Sequence, residues 1–433
     1  MLQEILELAS QATEQAEVFA VSAEETPVQF EANRLKHIQS KQTSSISLRL
    51  IKDGRIGFAS SNKVDAGPEL VDMALETARF GQVAGFDLPR IKELPAVDIY
   101  DAAVAKVPLS EMVRLGQQLI DSVRKASPEI ICEAGVTKQT LSVKLMNSKG
   151  GRAEYQKSLF SLGVEGTLIR GSDMLFVGDS ISSSRPVLDT AGVINTTLTQ
   201  LERARNTAKL ASKKMPVIFT PQGVASAFVH GLMTAFNGKI VLEGASPLGD
   251  KLGKQVFDKR LSLADDATLA YRPTSRPCDD EGVASRRIPL IEEGKVSAFL
   301  YDLKTAARAG AQSTGSGGRG GGLPGPSPSA LVFSAGDATF EDMVADIKEG
   351  LIVEYLMGAS QGNVLGGDFS GNVLLGYKIE SGKIVGRVKD TMVSGNIYEV
   401  LKEVAAIGSD SRWVGGALNT PSIYCPALSV ASK

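Results

Sequence analysis

Residues 43–60 read TSSISLRLIKDGRIGFAS. Ile46, Leu48 and Leu50 alternate with polar neighbours, the period-two pattern of a strand buried on one face. Asp53-Gly54 follows. Asp-Gly supplies the φ > 0 positions of a tight hairpin turn, so GRIGFAS is expected to return antiparallel to the first strand. Upstream, Leu2, Ile5, Leu6, Ala9, Ala12 and Ala16 mark one face of an amphipathic helix. Downstream, three-to-four periodicity predicts helices over 67–80 and 109–125. Residues 135–178 read as strands with a turn at Asn147 to Gly151. The first half therefore predicts an α+β fold, with helices on a largely antiparallel sheet.

A polar helix is expected over 195–214, leading out of an N-terminal α+β domain of residues 1–212 that holds one or two subdomains. MPVIFTP then opens a β-rich C-terminal domain of residues 213–433 with few helices. Pro221 starts a helix running to about Phe236, because proline at the first helical position gives up an N–H that has no intrahelical partner. Gly238 is expected to end it. LLGYKIESGKIVGRVKD reads as a hairpin turning at Ser381-Gly382, 394–404 as a short helix, and Pro421 to Val430 as the last strand. Residues 311–329, AQSTGSGGRGGGLPGPSPS, carry too little apolar surface to pack as a regular element, and a mobile loop is expected.

Composition narrows the function. The 433 residues are 43% hydrophobic and 22% charged, which suits two or three globular domains. Forty-seven basic against 49 acidic residues give a net charge of -2, arguing against a nucleic-acid protein held by a basic surface. Two histidines exclude a three-imidazole metal centre. Cys132, Cys278 and Cys425 are far apart and odd in number, so a reducing, cytoplasmic setting is expected. Glu4 and Glu7 stand where a secretory leader carries positive charge, and no apolar run reaches membrane-spanning length, so no membrane association is expected. The 44 glycines, concentrated in the second half, imply many turns there.

Most motif matches dissolve on inspection. Gly315, Gly317 and Gly320 form G-x-G-x-x-G, but Pro324, Pro326 and Pro328 block the helix a dinucleotide site needs. Ser360 lies in G-x-S-x-G, yet no helix pattern follows and no histidine lies downstream of His230. His230 is followed by Gly-Leu-Met-Thr-Ala, so its helix offers no second imidazole and no adjacent carboxylate; it reads as a partly buried structural residue. His37 reads as a surface or core-edge residue. Asp265-Asp266 and Asp279-Asp280-Glu281 are expected to be solvated loop residues. Cys278 and Cys425 lack a local base.

Residues 356–410, LMGASQGNVLGGDFSGNVLLGYKIESGKIVGRVKDTMVSGNIYEVLKEVAAIGSD, carry a stronger signal. With 300–319 (Asp302, Thr305, Ala306, Gly310, Ser313, Thr314, Gly315) and 246–269, they resemble the TldD/PmbA family, in particular its PmbA (TldE) branch. A weaker likeness across 10–80 extends the match to almost the full length. The resemblance implies a PmbA/TldD-like fold. TldD-branch members are zinc metallopeptidases with His-Glu-x-x-x-His on a helix and a further ligand near the C-terminus. The helix from Pro221 resembles that helix, with His230 at the first His, Gly231 at the catalytic Glu and Ala235 at the second His; Cys425 falls in the broad region of the later ligand. The resemblance thus implies no catalytic, cofactor-binding or metal-binding residue and no cofactor in this chain. It implies a PmbA-like subunit paired with a TldD-like zinc subunit, acting on unfolded or short peptides in peptide maturation and antitoxin degradation. The alternatives are an independent peptidase or amidase using Ser360, Cys425 or His230, a peptide-binding scaffold without catalysis, and a homodimer with no second protein.

Overall fold

The computed structural model describes residues 1–63 and 66–433. The opening hairpin forms as the alternation predicts. Strands β1 (Gln15–Glu31), β2 (Arg34–Ile38), β3 (Lys41–Lys52), β4 (Arg55–Ser61), β5 (Ile131–Asn147), β6 (Arg152–Arg170) and β7 (Asp173–Ser183) build one sheet in the order β4-β3-β1-β5-β6-β7, with β2 beside β1. Every pairing is antiparallel. Asp53 and Gly54 take φ 50° and 69°, the left-handed turn that Asp-Gly tolerates.

Helices cover one face. Leu109–Ala126 lays Met112, Leu115, Leu119, Ile120 and Val123 against Val136, Leu162 and Val164. Gly116 faces the Phe30 ring so closely that a Cβ would stand 2.2 Å from it. The shorter helices Leu2–Ala12 and Gly67–Ala78 seal the far end over Val18, Leu48 and Leu50.

The second half is built on strand β8 (Lys213–Phe219). It lies between Glu349–Met357, a parallel neighbour, and the antiparallel Ile423–Ser432. The order continues through Thr391–Asn396 and Asp368–Glu380, and the last of these pairs again with Glu349–Met357, closing the sheet on itself. A second sheet of six short strands includes Leu263–Asp266, Arg287–Glu292 and Leu331–Phe333. The Ser381-Gly382 hairpin and the final strand stand where the pattern puts them. The fold is α+β, with a β-rich second half and short helices.

Four local expectations change. The polar helix spans Ala191–Arg203 and not 195–214; its buried residues Val193, Thr197 and Gln200 all lie in its first ten positions, and the helix ends one turn beyond the last of them. The 394–404 helix shrinks to Ile397–Val400. Gly238 does not stop the Pro221 helix; Asn237 caps a new helix, Gly238–Leu242, and a Cβ on Gly238 would meet the Tyr301 ring at 2.3 Å.

The fourth concerns residues 311–329. They hold Gly317–Gly318 and Gly325–Pro326 as a two-stranded ribbon, with Ser316 2% exposed. Glycine removes the side chains that would keep this loop away from its neighbours. A Cβ on Gly317 would sit 2.7 Å from a Glu281 carboxylate oxygen. Buried carboxylates elsewhere in the chain set the place of this ribbon.

Candidate functional site

The helix from Pro221 is where the resemblance places the positions of the metal motif. Thr220 caps it, accepting the Gly223 N–H through its hydroxyl. Ala225–Val229 form a π turn, and the α-helix resumes at His230. Val224, Ala227, Phe228, Leu232, Ala235 and Phe236 are buried at helical spacing. Phe228 packs on Phe219 and Phe369 with ring centroids 4.7 and 5.6 Å away.

His230 is exposed, which corrects the expectation of partial burial. Gly231 and Ala235 lie on the buried face. A Cβ on Gly231 would stand 2.4 Å from Cδ1 of Ile397, itself 2% exposed. The space a catalytic glutamate would occupy is filled by another side chain. Ala235 is 1% exposed, and the Thr234 hydroxyl is turned back on the His230 carbonyl at 2.9 Å.

Catalytic zinc takes three protein donors from His, Asp, Glu or Cys and keeps an open position for water. Among the described residues no three such side chains come together. The residues present do not fit the metal. Cys425 is 1% exposed in the strand Ile423–Ser432 opposite Val217, and burial pushes its thiol well above the ordinary range. Burial likewise raises Cys132 to about 11 and Cys278 to about 12. All three cysteines are free and buried. Native protein is therefore expected to react with a thiol reagent such as DTNB far more slowly than urea-unfolded protein. Fast release of one equivalent from the native chain would mark an activated cysteine. Ser360 is exposed in a turn after Glu349–Met357, with no helix following it, so it has no nucleophile elbow. His37 lies exposed on β2, bonded to Gln39 at 3.0 Å.

The acidic residues overturn the expectation of solvation. Asp265, Asp266, Asp279 and Glu281 are 4%, 8%, 1% and 0% exposed. Asp265 accepts the Ser329 N–H and hydroxyl at 2.8 and 2.6 Å. Glu281 joins a buried charge network with the N-terminal sheet: Arg49 on β3 reaches Glu281 at 2.5 Å and Glu17 on β1 at 3.1 Å. Arg319, from the Gly-rich loop, also pairs with Glu17 and lies 4.9 Å from the Phe19 ring centroid. Its N–H meets Asp280 at 2.8 Å, and the Gly317 N–H meets Asp279 at the same distance. Isolated buried charge is expensive, so these partners are obligatory.

Burial, then the Glu281 charge, raises Asp279 from 3.8 to about 7. Between those values the folded state holds a proton that the unfolded chain has released. The contribution of Asp279 to stability is therefore greatest at acid pH and falls as pH rises toward 7. Asp279→Asn is expected to flatten the stability profile between roughly pH 4 and 7, read as urea midpoints across that range. An unchanged slope would show that Asp279 titrates normally.

A cleft of about 740 Å³ runs along β7 and is walled on its far side by Glu354, Tyr355 and Leu375. Glu354 is 8% exposed, bonded to the Thr220 hydroxyl at 3.1 Å and to Arg203 at 3.5 Å, and burial raises its carboxyl. The sequence reading missed this residue. Its signal was one charge inside the apolar run Leu351 to Met357.

Residues 212–432 match the model described as the PmbA/TldA metallopeptidase C-terminal domain, and residues 16–79 match domain 1 of the same family. The chain belongs to the PmbA/TldD family. It is similar to an uncharacterised protein of Methanocaldococcus jannaschii, 27% identical over 98% of each chain. It is also similar to the metalloprotease PmbA of Escherichia coli O157:H7, 26% identical over 99% of this chain and 94% of that one. The crystal structure of TldE from Thermococcus kodakarensis superposes with TM-score 0.89 at 22% identity, covering 99% of both chains, and establishes the likeness of fold. Within this PmbA/TldD fold, several residues that carry the resemblance do structural work. Asp302 and Thr305 form a reciprocal capping box, Gly310 ends that helix at φ 63°, and Asn396 ties Gly366 to Asp368. No helix among the described residues is long and apolar enough to cross a membrane.

Proposed function

We infer that this chain is the non-catalytic, PmbA/TldE-like subunit of a two-component TldD-type zinc metallopeptidase acting in the cytoplasm on unfolded or short peptides. One observation carries the reading. The helix from Pro221 resembles the metal-bearing helix of the TldD branch, and what supports the reading is that Gly231, at the glutamate position of that resemblance, packs against Ile397, and Ala235, at the second histidine position, lies in the core. A subunit of this kind contributes shape: it walls a channel or orients its partner's site, and catalysis depends on geometry supplied from outside the reacting groups.

The independent-enzyme reading lacks such support. Ser360 is exposed in a turn, Cys425 is buried in a strand and His230 points to solvent, and no hydrogen bond joins any two of them among the described residues. Elemental analysis of protein purified without chelator tests the assignment. Much less than one zinc per chain is expected. One tightly held zinc per chain would restore the independent-enzyme reading.

A further inference from the structure

We propose that the free edge of β7 is a docking strand for an extended, positively charged peptide, which adds to the N-terminal sheet inside the acidic cleft. The inference deepens the proposed function and rests on its premise that the chain handles extended peptides.

The backbone comes first. β7 is the last strand of its sheet and, among the described residues, pairs only with β6. The Gly178 N–H points away from β6, to the Gln200 side chain at 2.7 Å, and the Met174 carbonyl points outward to Arg387 at 2.9 Å. The register is unbroken, so Phe176 and Ser180 turn their N–H and C=O outward as well. Those groups and the Gly178 carbonyl meet no protein partner among the described residues. An unpaired strand edge is a template for another chain.

Gln200 adds a side-chain handle. It is 5% exposed and lines the cleft. Its oxygen is used on Gly178, while its NH2 group finds no acceptor among the described residues. A buried amide donor facing a cleft suits a peptide carbonyl.

Charge then selects the peptide. The cleft is lined by Glu31, Glu133, Glu165, Asp179 and Glu354, and by no Lys, Arg or His. Asp179 and Glu354 are neutralised by Arg412 and Arg203 from behind, and Glu31 lies 3.6 Å from exposed Lys36. Glu133 and Glu165 stand directly opposite each other on β5 and β6 without an ion pair among the described residues. Like charges in that position are destabilising, so an incoming cation is favoured twice, by attraction and by relief of repulsion. The next facing pair on the same side, Gly135 and Gly163, bears no side chain, and a Cβ on Gly135 would meet nothing within 4 Å.

The test uses the full chain alone and three fluorescent ten-residue peptides. One alternates Lys and Ser, one alternates Glu and Ser, and the third is the Lys peptide with alternate backbone nitrogens methylated. The Lys peptide is expected to bind about tenfold or more tighter than the Glu peptide, and the methylated one to lose about tenfold. Ser180→Pro removes one outward N–H while leaving the β6 ladder intact and should weaken binding. Glu133→Gln with Glu165→Gln should weaken Lys-peptide binding while leaving thermal stability unchanged or raised, so loss of fold is not the explanation. Equal binding of the three peptides, or no effect of these variants, overturns the proposal. So does pairing of two chain copies through β7 that Ser180→Pro abolishes while peptide still fails to bind. Activation of a TldD-type partner without peptide binding by this chain would overturn the docking strand and leave the proposed function standing. Peptide binding without activation would do the reverse.

Discussion

Arg49→Met is expected to lower the stability of the chain by about 3–5 kcal/mol, the usual cost of leaving buried charge without its partner. Arg49 is 2% exposed and is the cation between Glu17 and Glu281, both 0% exposed. Burial disfavours the charged arginine, but the Glu17 and Glu281 carboxylates carry it above its ordinary value; burial raises the Glu281 carboxyl, and the Arg49 charge opposes that rise. Methionine fills similar volume and supplies no charge, so Glu281 must bury a carboxylate unpaired or take up a proton. Glu281→Gln in the same chain should recover part of the loss, because the two residues share one interaction. Arg49→Lys should fall between, since one ammonium cannot present the guanidinium's fork to two carboxylates. Urea midpoints of the four proteins check the order. Equal midpoints for Arg49→Met and the parent would mean that the network contributes nothing.

Restoring the metal motif is expected to fail at the level of packing. Gly231→Glu with Ala235→His rewrites the helix to His-Glu-x-x-x-His, yet both positions face the core. The new Cβ at 231 would stand 2.4 Å from Ile397, and the carboxylate beyond it would enter apolar surroundings. Overpacking costs about 1–3 kcal/mol and an unpaired buried carboxylate several more, so a loss of about 3 kcal/mol or greater is expected, without zinc uptake. Gly231→Ala separates the contributions. It should lose about 1 kcal/mol or less, because better helix propensity offsets the displaced methyl of Ile397. A double variant that binds one zinc per chain at parental stability would contradict this account of the helix.

The sequence revealed what depends on local rules. The Asp53-Gly54 and Ser381-Gly382 turns need left-handed φ, and their residues announce it. The helix over Leu109–Ala126 buries one face, and its period says so; the strand beginning at Lys41 forms as its alternation says but is buried on both faces from Ile46 to Ile51, because Ser47 and Arg49 are covered as well. What lay hidden depends on residues far apart in the chain. Arg49 and Glu281 are 232 positions apart, and Arg319 and Glu17 are 302 apart. Nothing near Asp279 in sequence signals that a glycine ribbon and a sheet will close over it. Composition therefore misread the carboxylates as solvated and the Gly-rich stretch as unable to pack in a regular element. That the helix from Pro221 offers no second imidazole and no carboxylate beside His230 was legible in the sequence. The packing of Ile397 against Gly231 was not. The cleft along β7 was out of reach, because a strand's edge is defined by which neighbour it lacks.

The central claim is that this chain lacks a peptidase site of its own and completes one in a partner. Peptide hydrolysis by three samples tests it most directly: the full chain alone, a zinc-bearing TldD-type chain from the same cell alone, and the two mixed. Little or no cleavage is expected from either chain alone, and chelator-sensitive cleavage from the mixture that saturates near one-to-one stoichiometry. Cleavage by this chain alone that survives chelator would contradict it, as would a TldD-type chain equally active with and without this one.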